Sequence, residues 1–292
     1  MNKTEIQSLI GALVSVLLGA GLAAAGSQGG YAVAGIPIYV LCVAAAFLIQ
    51  WLAFIPAWLK RTEKFYDLTG GITYITVTLL AALSTPNLDA RSLLLAGIVI
   101  VWAVRLASFL FLRIRAAGED RRFREIKQSF GRFLLTWTLQ GLWVTFSLAA
   151  ALAAITSTLR LDLDLFALLG FLLWLTGFAI EVIADRQKSA FNAKPENKGR
   201  FINSGLWAWS RHPNYFGEIV LWIGTAVIAL PVLRGWQYAT LISPVFIILL
   251  LTRISGIPLL EQRADQKWGN EAEYQAYKAQ TPALIPLPPK RK

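Results

Sequence analysis

Soft metal ligands are almost missing from this chain of 292 residues, which has one cysteine, Cys42, and one histidine, His212. A lone thiol excludes a disulfide framework within the chain and a thiol–metal cluster. One imidazole and one distant thiol are also too few for a zinc site. Cys42 lies inside an apolar run and reads as a small buried filler. Charge is scarce as well, 15% of residues against 56% hydrophobic, with positive mean hydropathy. A soluble domain of this length carries more charge. No internal repeat, no low-complexity tract and no separate soluble domain is visible. Acidic residues are outnumbered 17 to 28 by Lys and Arg, for a net charge of +11. Such an excess raises nucleic acid as a partner. The basic residues, however, fall between apolar blocks rather than along one soluble face. That pattern argues against nucleic acid and suits acidic lipid headgroups or a phosphate-bearing cofactor.

What is present is a series of apolar blocks near 20 residues, enough to cross a hydrocarbon core of about 30 Å. Helices are the sensible spanning element, because isolated strands leave backbone groups unpaired in lipid. The expected fold is therefore an all-α, polytopic membrane helix bundle of about eight spans. These are Ile6–Ala25, Ile36–Trp58, Leu68–Leu83, Ser92–Leu112, Phe133–Ile155, Phe166–Ile183, Tyr215–Leu233 and Gln237–Ile257. The third is short and little more than Arg234-Gly235 joins the last two, so seven spans with a re-entrant hairpin is the alternative count. The first span ends in LAAAGSQGG, which resembles a signal-peptide cleavage site, but its long apolar run and barely basic start favour a retained span. Of the 28 Lys and Arg, 24 fall on one side; Arg91, Arg160 and Arg234 fall on the other and Arg105 within a span. The positive-inside rule then puts both termini in the cytoplasm, with a bacterial inner membrane as the expected location. One domain is expected over 1–292, with an amphipathic tail, 258–292, folded over a cytoplasmic mouth. An apolar stripe of Leu259, Leu260, Trp268, Tyr274 and Tyr277 would make that fold.

Chemistry-bearing residues gather in EVIADRQKSAFNAKPENKGRFINSGLWAWSRHPNYFGE, Glu181 to Glu218. Glu181 lies within an apolar run, with Asp185 at i+4 and Lys188 three further on, along one helix face. An intramembrane carboxylate marks a functional site or a structural partner for a neighbouring Arg. Lys194 and Lys198 read as ordinary loop charge. Arg200 and Arg211 flank the apolar-aromatic FINSGLWAW, where a planar guanidinium suits phosphate. Trp207 and Trp209 are either headgroup-level anchors or a stacking surface for a cofactor ring. Pro213 suits the first turn of the next helix. The N–H groups there, beside Arg211 and His212, suit an anion, while Asn214, Tyr215 and Glu218 suit ribose hydroxyls or an amide. An N-capped span with interfacial aromatics is the plainer alternative.

A second group is RTEKFYDLTGG, Arg61 to Gly71, at the start of the third span. Asp67 is expected to cap that helix, and Gly70 and Gly71 to admit close approach of a backbone or ligand. Arg105, three residues after Trp102, needs a carboxylate partner or an anionic ligand; Asp67 and Glu181 are the candidates. The run Arg113 to Arg132 reads as a solvated amphipathic loop helix, with Glu119-Asp120-Arg121 able to line a mouth. Arg253 and Glu261 stand at the end of the final span, where they can close the site.

LWAWSRHPNYFGE, FYDLTGG, AGEDRR and YKAQTPALIP together resemble the DUF1295 branch of the steroid 5α-reductase superfamily, over about Asp67 to Pro286. Isoprenylcysteine carboxyl methyltransferases share a signature similar to RHPNYFGE, whereas Asp185/Lys188, FYDLTGG and AGEDRR favour the reductase side. The resemblance implies a multi-helix membrane fold that binds NADPH in a cavity open to the cytoplasm. Its cofactor shell would be Asp185, Lys188, Asn192, Arg200, Trp207, Arg211, His212, Asn214, Tyr215 and Glu218, with Arg253 and Tyr277 from the tail. It implies hydride transfer to the β carbon of a conjugated C=C in a lipophilic enone, steroid- or isoprenoid-like. Asp67 falls near the substrate-facing glutamate of the steroid reductases, and Trp102 stands where they have a tyrosine. Asp67 with Tyr66 or Tyr74 is then expected to polarise the carbonyl, with Arg105 nearby. The alternative enzyme is an S-adenosylmethionine-dependent methyltransferase of a lipid or prenylated substrate. A transporter would instead spread polar residues at mid-membrane depth on broken helices, and here they crowd one face.

Overall fold

The computed structural model describes residues 3–117, 120 and 123–289 and is nearly all-α. Helix α1 (Lys3–Gly26) leads to a short hairpin, β1 (Ala32–Val33) antiparallel to β2 (Ile36–Pro37). Its turn residues Ala34 and Gly35 both have positive φ, as a two-residue type I′ turn demands. There follow α2 (Ile38–Leu59), α3 (Tyr66–Ser84), α4 (Ala90–Ala117), α5 (Phe123–Ile126), α6 (Phe130–Ser147), α7 (Ala149–Thr156) and α8 (Leu165–Ala193). After a loop with two 3₁₀ turns come α9 (Pro213–Ala229), α10 (Ile242–Leu249), α11 (Ile257–Trp268) and α12 (Ala272–Gln280). Among the described residues seven helical stretches are long and apolar enough to cross a membrane, and α6 with α7, bent by 56°, makes an eighth.

The expected spans are all found, with three differences. The ambiguous span is the fifth, not the last pair: α6 and α7 meet at a break, Leu148. Thr145 Oγ1 and Ser147 Oγ bond back to the carbonyls of Gly141 and Trp143, a habit that bends helices. Ser243 Oγ donates to the Ser147 carbonyl at 2.6 Å, so the break leaves that acceptor satisfied. The sixth span runs ten residues past its expected end at Ile183, because the polar stretch Arg186–Asn192 keeps helix-forming residues that hydropathy ignores. The last is composite: 3₁₀ turns over Gly235–Leu241, then α10, a π-helical stretch Leu250–Ile254 and α11.

The chain divides into two compact units, 1–167 with 228–243, and 168–227 with 244–292. In the first, the paired glycines of FYDLTGG serve two neighbours of α3. A Cβ on Gly70 would lie 2.6 Å from Gln140 Nε2 of α6, and one on Gly71 would overlap the Cβ of Ala107 on α4. Buried Gln50 of α2 donates to Thr73 Oγ1 at 2.8 Å. Asp67 is not the helix cap: α3 starts at Tyr66 after Phe65, and Asp67 sits within the first turn, where its charge complements the helix dipole. Glu63, buried, accepts from Lys127 Nζ at 2.7 Å and from the Asp120 N–H at 3.1 Å. Arg61 lies 3.5 Å over Trp58 and donates to the Lys127 carbonyl. The loop helix expected over Arg113–Arg132 is thus the end of α4 plus the short α5, tied to 61–63. Glu119 and Arg121, and with them most of AGEDRR, lie outside the described residues. At another corner, fully buried Arg91 pairs with Asp164 at 3.0 Å and donates to the carbonyls of Asp162 and Ile228, while Arg160 bonds Ser92 Oγ.

In the second unit α8 and α9 touch backbone to backbone. Glycines recur every seven residues on both, Gly170 and Gly177 facing Gly224 and Gly217. A Cβ on Gly177 would come 2.5 Å from the Gly217 carbonyl oxygen, one on Gly217 as close to that of Gly177, and one on Gly224 as close to that of Gly170. This contact buries Glu181 and Asp185 of α8 and Glu218 of α9. We expect Gly217→Leu to cost about 1–3 kcal/mol or more. The check is the thermal midpoint in detergent beside Gly21→Ala. A Cβ at Gly21 meets nothing within 4 Å, so that change should be neutral or stabilise by about 0.5–1 kcal/mol.

Candidate functional site

The segment from Gly205 to Glu218 is built outward from α8. Gly205 takes φ +61, a value that favours glycine, and opens the 3₁₀ turn Gly205–Ala208 against Gln187. Gln187 Oε1 accepts the Leu206 N–H at 2.9 Å. Trp207 is buried: its indole N–H donates to the Ala184 carbonyl at 3.0 Å and Lys188 Nζ sits 4.5 Å from the ring centroid. Trp209, by contrast, is exposed. Ser210 Oγ accepts from the His212 N–H at 3.1 Å and donates to the Leu284 carbonyl at 2.8 Å. Helix α9 then starts at Pro213, as the first-turn preference of proline predicts.

Arg211 and His212 come together, and their anionic partner is a side chain. Glu261 Oε1, on α11, accepts from His212 Nε2 at 2.8 Å and from Arg211 Nε at 3.1 Å. A second guanidinium nitrogen of Arg211 donates to the carbonyls of Lys278 and Thr281 at 2.8 and 2.6 Å. Those carbonyls lie at the C-terminus of α12, whose last turn leaves acceptors unsatisfied and carries partial negative charge. Arg211 therefore caps α12 while pairing with α11. Its own N–H donates to the Pro282 carbonyl. Lys278 closes the set on Asp265 at 2.6 Å. Tyr277 donates to the Trp207 carbonyl and stacks on Phe201, which also meets Trp268 and Tyr274 edge-on. Of the expected apolar tail stripe, Tyr274 is buried and Leu259 stays exposed.

Burial pushes the Tyr274 phenol up to about 12, with the charges of Glu261 and Asp265 adding to it, and burial also raises Tyr277; both remain donors at neutral pH. Burial lowers the His212 pKa, and the charges of Lys188 and Arg211 act the same way, against the pull of Glu261. The imidazole is thus held neutral with its Nε2 proton toward Glu261.

Asn214 Nδ2 donates to Asp185 Oδ1 at 3.3 Å, joining α9 to α8, and the Tyr215 ring stacks on His212 with centroids 5.8 Å apart. Glu181, Asp185 and Glu218 are buried carboxylates on the two facing helices. Asn192, Arg200 and Arg253 are exposed. The remaining expected residues belong to the first unit. There Tyr66 donates to the Thr136 carbonyl at 3.0 Å, and half-buried Asp67 follows it in the first turn of α3. Buried Tyr74 packs edge-on against Trp102, centroids 5.0 Å apart. The Arg105 guanidinium lies 5.3 Å from the Phe109 ring centroid.

Sequence reasoning missed Ser210, Gln187 and Phe201 as parts that shape this segment. The first two have local signals: a serine three residues before a helix-starting proline, and a glutamine on the face of α8 that meets the positive-φ glycine. Phe201 has none, since its partners lie some 70 residues away.

The depressed His212 pKa has a sign that can be checked. An unfolded imidazole takes up its proton at about pH 6.5, before the folded one does, so stability is complete above that pH and falls as the pH drops below it. The melting temperature should decline from pH 7.5 to 5.5, and His212→Gln, which keeps a donor for Glu261, should flatten that decline.

The chain gives no match to a curated protein or to a solved structure. A family match does exist, to the family described as Protein of unknown function (DUF1295), over residues 53–281. That span takes in α3 through α12 and with them the glycine contacts, the buried carboxylates and the Arg211–Glu261 pair, and by it the chain belongs to the DUF1295 family.

Proposed function

We propose that the protein is an NADPH-dependent membrane reductase that saturates a conjugated C=C bond in a lipophilic, steroid- or isoprenoid-like enone. In this reading both termini and the cofactor mouth face the cytoplasm, and the membrane is a bacterial inner membrane. The observation that carries it is the set of buried carboxylates Glu181, Asp185 and Glu218 on the glycine-tight α8/α9 pair, with Asn214 bonded to Asp185. Charged side chains at such depth mark function by default. The donor set fits a dinucleotide: carboxylates and Asn214 suit ribose hydroxyls and a carboxamide, and Lys188, Arg200 and Arg253 suit phosphates. Arg211 and His212 are committed to Glu261, so they hold the tail in place and act on the cofactor indirectly.

NADPH, when bound, supplies the hydride. The remaining work is to polarise the substrate carbonyl and hold a proton in a dry setting. Tyr66 spends its proton on the Thr136 carbonyl. Tyr74 lies against Trp102, the position at which the steroid reductases have a tyrosine, so a phenol returns to that neighbourhood from α3. We assign the polarising role to Tyr74, with Asp67, seven residues earlier on the same face of α3, as its companion and Arg105 of α4 completing the set.

Two measurements test this reading. NADPH should raise the melting temperature of the detergent-purified protein, and Asp185→Asn should lose most of that shift. Stabilisation by S-adenosylmethionine and not by NADPH would replace the reductase with the methyltransferase. In enone-dependent NADPH oxidation, Tyr74→Phe should lower kcat by about 10²–10³-fold, the usual cost of one donor to developing negative charge. Tyr66→Phe should stay near wild type, and the opposite ranking would move the role to Tyr66.

A further inference from the structure

Helix α8 has a second polar face. Glu181, Asp185 and Lys188 share one side, whereas Gln187, Ala190, Phe191 and Lys194, at helical spacings of three and four, share another. That other side forms the wall of a cavity of about 340 Å³, completed by Asn197, Ile202, Ser204 and Gly205. Its shape is held from within: Gln187 accepts from Leu206, Asn197 Nδ2 donates to the Phe191 carbonyl at 2.8 Å, and Gly205 packs against Gln187. Ala190, Phe191 and Ile202 give it an apolar floor. Lys194, which lines it, and Lys198, next in sequence to the lining Asn197, are exposed and have no side-chain partner among the described residues, and neighbouring Glu196 pairs with neither.

The same face of α8 continues away from the cavity as a stripe of lipid-compatible side chains. Leu169, Leu172, Leu173 and Ile183 are exposed along it, with Thr176 between. From Leu169 to Ile183 the stripe runs about 21 Å at 1.5 Å per residue. That is longer than one leaflet's half of a hydrocarbon core of about 30 Å. An apolar stripe leading into a half-apolar cavity with unpaired cations at its rim matches one ligand chemistry, an acyl chain carrying an anionic phosphate headgroup. We propose that this groove is a binding site for an anionic phospholipid, its phosphate at Lys194 and Lys198 and one acyl chain along the α8 stripe. The site lies on the side of α8 away from the buried carboxylates and does not depend on the reductase reading.

The test uses full-length protein in detergent and the melting temperature as readout. Dioleoylphosphatidylglycerol is the probe, dioleoylphosphatidylcholine the neutral control, and inorganic phosphate and NADPH are soluble competitors. Phosphatidylglycerol at a hundredfold excess over its Kd should raise the midpoint by about 4 °C or more, and phosphatidylcholine should not. The double variant Lys194→Gln/Lys198→Gln should lose most of the shift by removing the charge. Ala190→Trp should lose it with every cation kept, by filling the groove. The lipid-free midpoints of both variants report whether they fold. A full shift in the double variant overturns the site, and a full shift in Ala190→Trp reduces it to diffuse surface charge. Competition by inorganic phosphate or NADPH, lost in Ala190→Trp, would give the groove to a soluble phosphate compound and overturn the lipid.

Discussion

The arrangement of the second unit depends on two helices being allowed to touch without side chains between them. At the Gly177–Gly217 crossing the backbones of α8 and α9 come so close that a single Cβ would strike a carbonyl oxygen. Packing as dense as this leaves no room for lipid or water between the helices. It carries Glu181 and Asp185 on one helix, and Asn214 and Glu218 on the other, into a shared buried polar setting. Without the glycines the helices would stand apart by a side chain's width. The Asn214–Asp185 bond, already 3.3 Å long, would then fail first.

A second constraint acts through the tail. Arg211 does three jobs at once, pairing with Glu261, capping α12 and, through its own N–H, holding the segment at Pro282. Each job supplies an acceptor to a group that would otherwise be buried without one. The neutral His212 fits the same logic, because a second full positive charge beside Arg211 would leave Glu261 overmatched.

Much of this was legible in the sequence, and the reasons differ by element. The spans were readable because the need to satisfy every backbone group in lipid leaves helices alone, and their apolar lengths are set by the bilayer. The limits of α8 were not readable, since hydropathy stops at Ile183 while the helix runs on through Asn192. The break at Leu148 depends on Ser243, a partner 96 residues away from Ser147. In the site, helical spacing aligned Glu181, Asp185 and Lys188, and the Pro213 start aligned Asn214 and Glu218, but the meeting of the two groups across α8 and α9 was implied only by the family resemblance. The partner of Arg211 and His212 did not follow: chemistry asked for an anion, and a phosphate and a glutamate meet that demand equally well. Likewise the double glycine of FYDLTGG announced close approach, but only three dimensions name Gln140 and Ala107 as the neighbours.

The Arg211 assembly also orders the life of the polypeptide in time. Glu261 follows Arg211 by 50 residues, Lys278 by 67, and Leu284 follows Ser210 by 74. During synthesis α8 and α9 can enter the bilayer and close on their glycines while the guanidinium and imidazole at their end still lack every one of these acceptors. A nascent chain halted before α11 therefore displays a bare cationic site where the finished protein has a neutralised one. The fold thus separates insertion from completion, and a truncated product differs from a whole one in the charge it shows at the membrane surface.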